Sequence, residues 1–270
     1  MDVEFLQVTF LAILQGITEF LPISSSGHLI LPTALLGWED QGLVFDVSVH
    51  LGSLFAVVYY FRLQIWSLAL SWINSLVTRQ SSEEAHLAWL ILLATLPAGI
   101  AGLLLNDLVE EYGRSTVVIA STSLVFAVLL WWGDRRSSRR HGLADLNWKT
   151  ALFIGMAQML ALIPGTSRSG VTMTAGLFVN MSRQAASRFS FLLAIPIIAA
   201  SGLLKLLEFY QAGAGVSAWI VLLYGALLSG VVSFLCIHYF LKLIERTGFL
   251  PFVIYRIFLG LLLFAVYFSM

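Results

Sequence analysis

Charge is scarce in this chain. Of its 270 residues only 11% are Asp, Glu, Lys or Arg, less than half the share of about 25% that soluble domains carry. The acidic and basic side chains cancel to a net charge of zero, which argues against a nucleic-acid partner. Cysteine occurs once, at Cys236, so an intrachain disulfide is excluded; flanked by Phe234, Leu235 and Ile237, that thiol reads as packed or lipid-facing. No basic leader opens the chain either. Asp2 and Glu4 stand there instead and no small-residue cleavage site follows, so the first apolar segment is expected to stay in the mature protein. What abounds is apolar: 59% of residues are hydrophobic and the mean hydropathy is +0.89. The chain therefore reads as an all-α polytopic membrane protein.

A spanning helix needs about 20 apolar residues. Six segments qualify: Leu43–Trp66, His86–Leu105, Ser115–Trp132, Phe189–Phe209, Ala218–Phe240 and Gly248–Phe268. Two further apolar stretches, Val3–Leu36 and Trp148–Val179, are interrupted by Pro22 or Pro164 and then by serine and glycine. Proline removes a backbone donor and glycine permits reversal, so each stretch reads as a re-entrant helical hairpin. The order is hairpin, three spans, hairpin, three spans. Because three is odd, the second half must enter from the opposite face, which predicts an inverted-topology repeat with six transmembrane helices and two hairpins meeting at the midplane. The expected divisions are 1–133 for the first repeat, 134–147 for a basic linker and 148–270 for the second repeat.

The positive-inside rule puts the linker, with Arg135, Arg136, Arg139, Arg140 and Lys149 in or beside it, in the cytoplasm. Threading from there brings Arg62, Arg79, Arg183, Arg188, Lys242 and Arg246 to the same side. Arg114 and Lys205 then fall near the outer side, together with Asp107, Glu110 and Glu111. Both termini are expected outside. Trp38, Trp66, Trp131, Trp132 and Trp148 fall at span ends, where amphipathic rings settle.

Polar chemistry concentrates in the two breaks. In the first, Gln15 and Glu19 share a helix face, and an intramembrane carboxylate is a functional candidate by default; the simpler role for Glu19 is to bond the amides of its own turn. Ser24, Ser25 and Ser26 precede the returning helix, where one serine would suffice as its cap. Gly27 allows close backbone approach, and His28 could pair with a serine hydroxyl as an activated nucleophile. In the second break Arg168 stands between Ser167 and Ser169, with Gly165, Thr166 and Gly170 beside it. Guanidinium matches phosphate by bidentate bonding and turn amides form anion nests; the simpler role for Arg168 is to pair with Glu19. Thr172, Thr174 and Gln158 can line the same cavity. His50 and His238 read as packing or interface residues, His86 and His141 as surface residues, and Arg256 as a buried pairing residue or a snorkelling side chain.

The run from Gln15 to His28, together with Pro164-Gly-Thr-Ser-Arg-Ser-Gly-Val-Thr172, resembles the undecaprenyl-diphosphate phosphatases, the bacitracin-resistance family of bacterial inner-membrane enzymes. The likeness covers nearly the whole chain and includes Phe45–Ser53, Ser190–Pro196, Pro251-Phe252 and Tyr255-Arg256. It implies hydrolysis of undecaprenyl diphosphate to undecaprenyl phosphate and inorganic phosphate. A divalent cation, magnesium or calcium, is implied with it. By the same likeness Glu19, the Ser24–Ser26 turn, His28 and Arg168 form the site.

The expected mechanism places Ser25 as first choice for nucleophile with His28 as its proton partner; Ser26 or His28 itself are the alternatives. Glu19 would bind the cation or orient water, and Arg168 with Gln15, Ser24, Ser26, Gly27, Gly165, Thr166, Ser167, Ser169, Gly170 and Thr172 would hold the diphosphate. The partners expected are the polyprenyl diphosphate and membrane lipids, with the chain a monomer or a homodimer. The competing class is an inverted-repeat secondary transporter or lipid-phosphate flippase; a weaker one is a protein that sequesters the lipid without turnover.

Overall fold

Proline does not by itself stop a helix in this protein: Pro32, Pro97 and Pro196 lie inside helices, whereas Pro22 and Pro164 lie in the two breaks. The structure, a computed structural model, describes residues 2–38, 42–112, 115–211 and 216–269. Arg114 lies outside the described residues, as do the side chains of Asp2, Glu4, Ser26, Asp107, Glu110, Glu111 and Lys205. Eleven α-helices follow in order among the described residues: α1 (Asp2–Thr18), α2 (Ser25–Leu36), α3 (Gly42–Tyr60), α4 (Arg62–Thr78), α5 (Glu83–Tyr112), α6 (Thr116–Arg136), α7 (Trp148–Met159), α8 (Arg168–Phe178), α9 (Arg183–Gln211), α10 (Val216–Thr247) and α11 (Leu250–Ser269). A short 3-10 turn, Leu160–Leu162, ends α7. The chain is a polytopic α-helical membrane protein: α5, α6, α9, α10 and α11 are each long and apolar enough to cross a bilayer, and the bent pair α3 and α4 passes the same test only when counted as one span.

That bend corrects one expectation. The run Leu43–Trp66 is not a straight span; the helix breaks at Phe61 and α4 leaves at 79° to α3. Arg62 folds back at the break, donating to the Tyr59 carbonyl at 2.9 Å and covering the Tyr59 ring at 4.6 Å. Beyond it only Leu68 of α4 is buried. The helix rests on α5 instead, through an edge contact of Trp72 with Trp89 and a Trp89 to Ser75 hydrogen bond of 3.3 Å. A continuous apolar run carries no mark of such a corner.

The hairpins appear at the two breaks, as α1 with α2 and as α7 with α8. Their returning helices are capped alike. Ser24 and Ser167 both hold positive φ, 73° and 71°, and each side chain accepts the amide three residues on, from Gly27 and Gly170. L-residues rarely adopt this conformation, and at both turns the cap bond helps hold it. Gln15 and Gln158 stand at matching places before the two capping serines, and both are buried.

The halves interlock. The leading helix of each hairpin packs on the middle span of the other half, α1 on α10 and α7 on α5, while α3 meets α9 and α6 meets α11. Small residues let these backbones close in. A Cβ added at Gly16 would come within 2.7 Å of Val232, one at Gly155 within 2.4 Å of the Ala94 carbonyl oxygen, and one at Gly52 within 2.0 Å of that of Ala226. Hydroxyls bridge the same seams: the Ser233 hydroxyl lies 2.9 Å from that of Ser53 and 3.2 Å from the Gly16 carbonyl oxygen, and Ser229 donates to the Val49 carbonyl at 2.8 Å. One end of the bundle is tied by Asp134 of α6, which takes both Nε and Nη2 of Arg183 at 2.6 and 2.7 Å.

Candidate active site

Breaking a helix inside a membrane frees carbonyls that lipid cannot satisfy, and α11 answers this with Arg256. Fully buried, its guanidinium donates to the carbonyls of Pro22, Gly165 and Thr166 at 3.1, 2.9 and 3.0 Å, and to those of Ser123 and Thr122 in α6. One side chain thus fastens both hairpin turns to each other and to α6. Thr122 adds a bond from its hydroxyl to the Pro164 carbonyl at 2.8 Å. Gly165, at φ 87°, lies so close to α6 that a Cβ would fall 2.2 Å from the Thr122 hydroxyl.

Held this way, the turns bring Glu19 and Arg168 together. Arg168 Nη2 donates to Glu19 Oε1 at 3.2 Å, and its Nη1 donates to the Ser190 carbonyl at 3.1 Å. The other carboxylate oxygen, Oε2, accepts Gln15 Nε2 at 2.9 Å and the Ser25 hydroxyl at 2.8 Å. His50 Nε2, from α3, lies 3.4 Å from that same oxygen. Glu19 is 6% exposed. Its carboxylate is therefore the hub at which both hairpins and α3 converge.

The remaining motif residues surround this hub. Ser169 donates to the Leu21 carbonyl at 2.8 Å, a second bond between the hairpins, and lies 3.1 Å from the Ser167 hydroxyl. Thr172 bonds the Ser190 hydroxyl at 2.7 Å, locking α8 to α9 behind the guanidinium. Thr166 Oγ1 and Gln15 Oε1 are buried without a protein partner; the hydroxyl can donate to water or a bound oxyanion, and the amide oxygen can accept from water or meet a cation. Gln158 is buried with its whole side-chain amide unpaired; no contact joins it to Glu19. Of Ser26 only the backbone, in the first turn of α2, is described.

His28 departs from its expected place. Its Nδ1 lies 2.6 Å from the Ser24 carbonyl oxygen, and its Nε2 is hydrogen-bonded to the Tyr255 hydroxyl. Ser25 turns the other way, to Glu19. The reason is helical: His28 stands four residues after Ser24, where its short side chain reaches the carbonyl of the turn, while Ser25 at the very start of α2 overlooks the end of α1. Conversely His50, read as a packing or interface residue, lies at the centre. Tyr255, Arg256 and Ser190 were likewise assigned no chemistry from residue type, although all three fall in segments that carry the family likeness, as His50 does.

Among the described residues no three His, Cys, Asp or Glu side chains group as a metal cage. One carboxylate with hydroxyls around it suits a hard cation bound mainly by water and phosphate oxygens, the usual habit of magnesium. The cluster therefore fits a cation that arrives with a phosphorylated ligand.

Comparison with known proteins agrees with this geometry. Residues 8–262 match the family described as Bacitracin resistance protein BacA. Undecaprenyl-diphosphatase 1 of Pseudoalteromonas translucida is 53% identical over 257 residues, covering 95% of this chain and 96% of that protein. The undecaprenyl-diphosphatase of Chromohalobacter salexigens is 53% identical over 260 residues, 96% of this chain and 98% of its own length. Undecaprenyl-diphosphatase 2 of Stutzerimonas stutzeri is 52% identical over 267 residues, 98% of each. With the match spanning both hairpins and all the helices that hold Glu19 against Arg168, the chain belongs to the bacitracin resistance protein BacA family.

Proposed function

We propose that this protein is an integral membrane phosphatase that hydrolyses undecaprenyl diphosphate to undecaprenyl phosphate and inorganic phosphate, returning the lipid carrier to cell-wall synthesis and conferring bacitracin resistance. The observation that carries the reading is the Glu19 hub, where one buried carboxylate holds a serine hydroxyl from its own hairpin and a guanidinium from the other.

The chemistry follows from those contacts. Ser25 donates to Glu19, so the carboxylate is placed to take the hydroxyl proton as Oγ attacks the terminal phosphorus. This assigns to Glu19 the role first expected of His28. The P–O bond to the bridging oxygen breaks and the lipid monophosphate leaves with the electron pair. Arg168, already held by the Ser190 carbonyl, exchanges Glu19 for the phosphoryl oxygens and stabilises charge where it builds, which is the main task in phosphoryl transfer. The Thr166 hydroxyl, unpaired in the protein, is free to donate to the head group. A magnesium or calcium ion held by Glu19 and substrate oxygens would supply further charge neutralisation. All these groups belong to one chain.

We further propose that the protein lies in the bacterial inner membrane with both termini on the periplasmic side, a reading that the basic linker between the halves supports. The test is release of phosphate from undecaprenyl diphosphate by purified protein in detergent. Repeated turnover is expected. Hydrolysis needs no sealed compartment, so failure to release phosphate in detergent, with lipid movement only in sealed vesicles, would overturn the phosphatase reading in favour of a flippase.

A further inference from the structure

Both ring nitrogens of His28 are engaged, and neither touches Ser25 or Glu19. A carbonyl oxygen only accepts, so the bond of 2.6 Å to Ser24 puts the proton on Nδ1. In the neutral ring Nε2 is then the acceptor, and the Tyr255 hydroxyl donates to it. The two rings also stack, with centroids 5.5 Å apart and planes 10° apart. His28 is 3% exposed while Tyr255 is 40% exposed, so the imidazole meets the outside of the site through the phenol. Tyr255 cannot drift, because its neighbour Arg256 is locked into both turns.

Ser25 and His28 are three residues apart on α2, which makes them neighbours on the helix surface. Ser25 is served by Glu19; the His28–Tyr255 pair bonds neither of them and has no task in the first step. We propose that Tyr255 and His28 form a proton relay for the second step, the hydrolysis of the phosphate carried by Ser25, an inference that rests on the reaction proposed above. Water attacks the phosphorus of the seryl phosphate and gives its proton to the Tyr255 oxygen. The Tyr255 proton passes to His28 Nε2. The P–Oγ bond breaks, its electron pair stays on Oγ, and Oγ recovers the proton that Glu19 took in the first step. Inorganic phosphate leaves, and the relay discharges its proton through the exposed phenol.

The experiment uses full-length protein in detergent with undecaprenyl diphosphate labelled on the terminal phosphate, comparing the wild type with Y255F, H28Q and S25A by rapid quench and in the steady state. Y255F keeps the ring stack and loses only the hydroxyl, so it separates a packing role from a relay. Expected in Y255F are a first turnover at close to the wild-type rate, labelled protein accumulating on Ser25, and steady-state release lowered by about a hundredfold, as loss of a general base does. H28Q is expected to behave alike. Wild-type steady-state release by Y255F would overturn the proposal, as would slowing of the first turnover or slowing with no labelled protein. No release by the wild type would instead overturn the phosphatase reading, and turnover by S25A would overturn the serine step on which the relay rests.

Discussion

Arg168 of the second hairpin and Glu19 of the first face each other across 3.2 Å in the interior of the bundle. Each is costly to bury alone, and each offsets part of the other's penalty. The pair therefore does two things in turn: it closes the ligand-free site, and it poises the guanidinium to move onto phosphate. Replacement of Arg168 by Ala is expected to lower kcat by at least about a hundredfold, the scale for losing a transition-state donor. R168K keeps the charge but lacks the fork that joins Glu19 to the Ser190 carbonyl, so it should recover only a small part of that loss. Steady-state phosphate release by the folded variants checks both.

Ser25 shares the same carboxylate, and this gives Glu19 a second signature. E19Q can still bond Gln15 or Ser25 but takes no proton and pairs poorly with a cation. With undecaprenyl diphosphate as substrate, E19Q should lose activity by about two orders of magnitude or more. Chelation of divalent ions should silence the wild type, and magnesium or calcium should restore it. Titrating the cation back into wild type and E19D separates the roles: a raised cation requirement in E19D is expected, and an unchanged one would remove Glu19 from the cation site.

The broken helices were legible because hydrocarbon allows so few explanations for a Pro-Ile-Ser-Ser-Ser-Gly run inside an apolar segment. Glu19 and Arg168 could be paired from the sequence for the same reason, each needing the other. His50 was not legible: an isolated histidine among apolar neighbours has the same signature whether it packs or points at a carboxylate. The direction of His28 was misread because spacing along α2 puts it near Ser25 without saying which nitrogen is already taken by the Ser24 carbonyl. The corner at Phe61 left no trace because the run continues across it with neither proline nor glycine to mark a break.

Arg256 is a stabilising residue by position, and its loss should reach activity through the fold of the two turns. Its removal leaves the carbonyls of Pro22, Gly165 and Thr166 unpaired and buried, each at about 1–3 kcal/mol. R256A should therefore fail to hold both turns, losing melting temperature in detergent and activity together. R256K can reach one or two of these carbonyls and should fall between. Retention of the wild-type melting temperature by R256A would mean that the turns stand without the clamp.

The last prediction concerns the seams that set the hairpins in place. Gly52 and Gly155 each lie against a carbonyl oxygen of a facing helix, at distances where a methyl group cannot enter, whereas Gly99 has nothing within 4 Å. A methyl at Gly52 would push α3 away from α10 and carry His50 with it; one at Gly155 would push α7 away from α5 and shift the turn that presents Arg168. Overpacking of this kind costs about 1–3 kcal/mol, while alanine at an open helical position gains about 1 kcal/mol in propensity. G52A and G155A should thus melt earlier than the wild type and lose activity, and G99A should melt at the same temperature or slightly later with activity unchanged. The comparison isolates contact from helix propensity, since the same substitution is made in a helix each time and only the facing backbone differs. Equal melting of all three would mean that the seams at Ala226 and Ala94 can open without cost, and that the hairpins are held by the bonds at their turns.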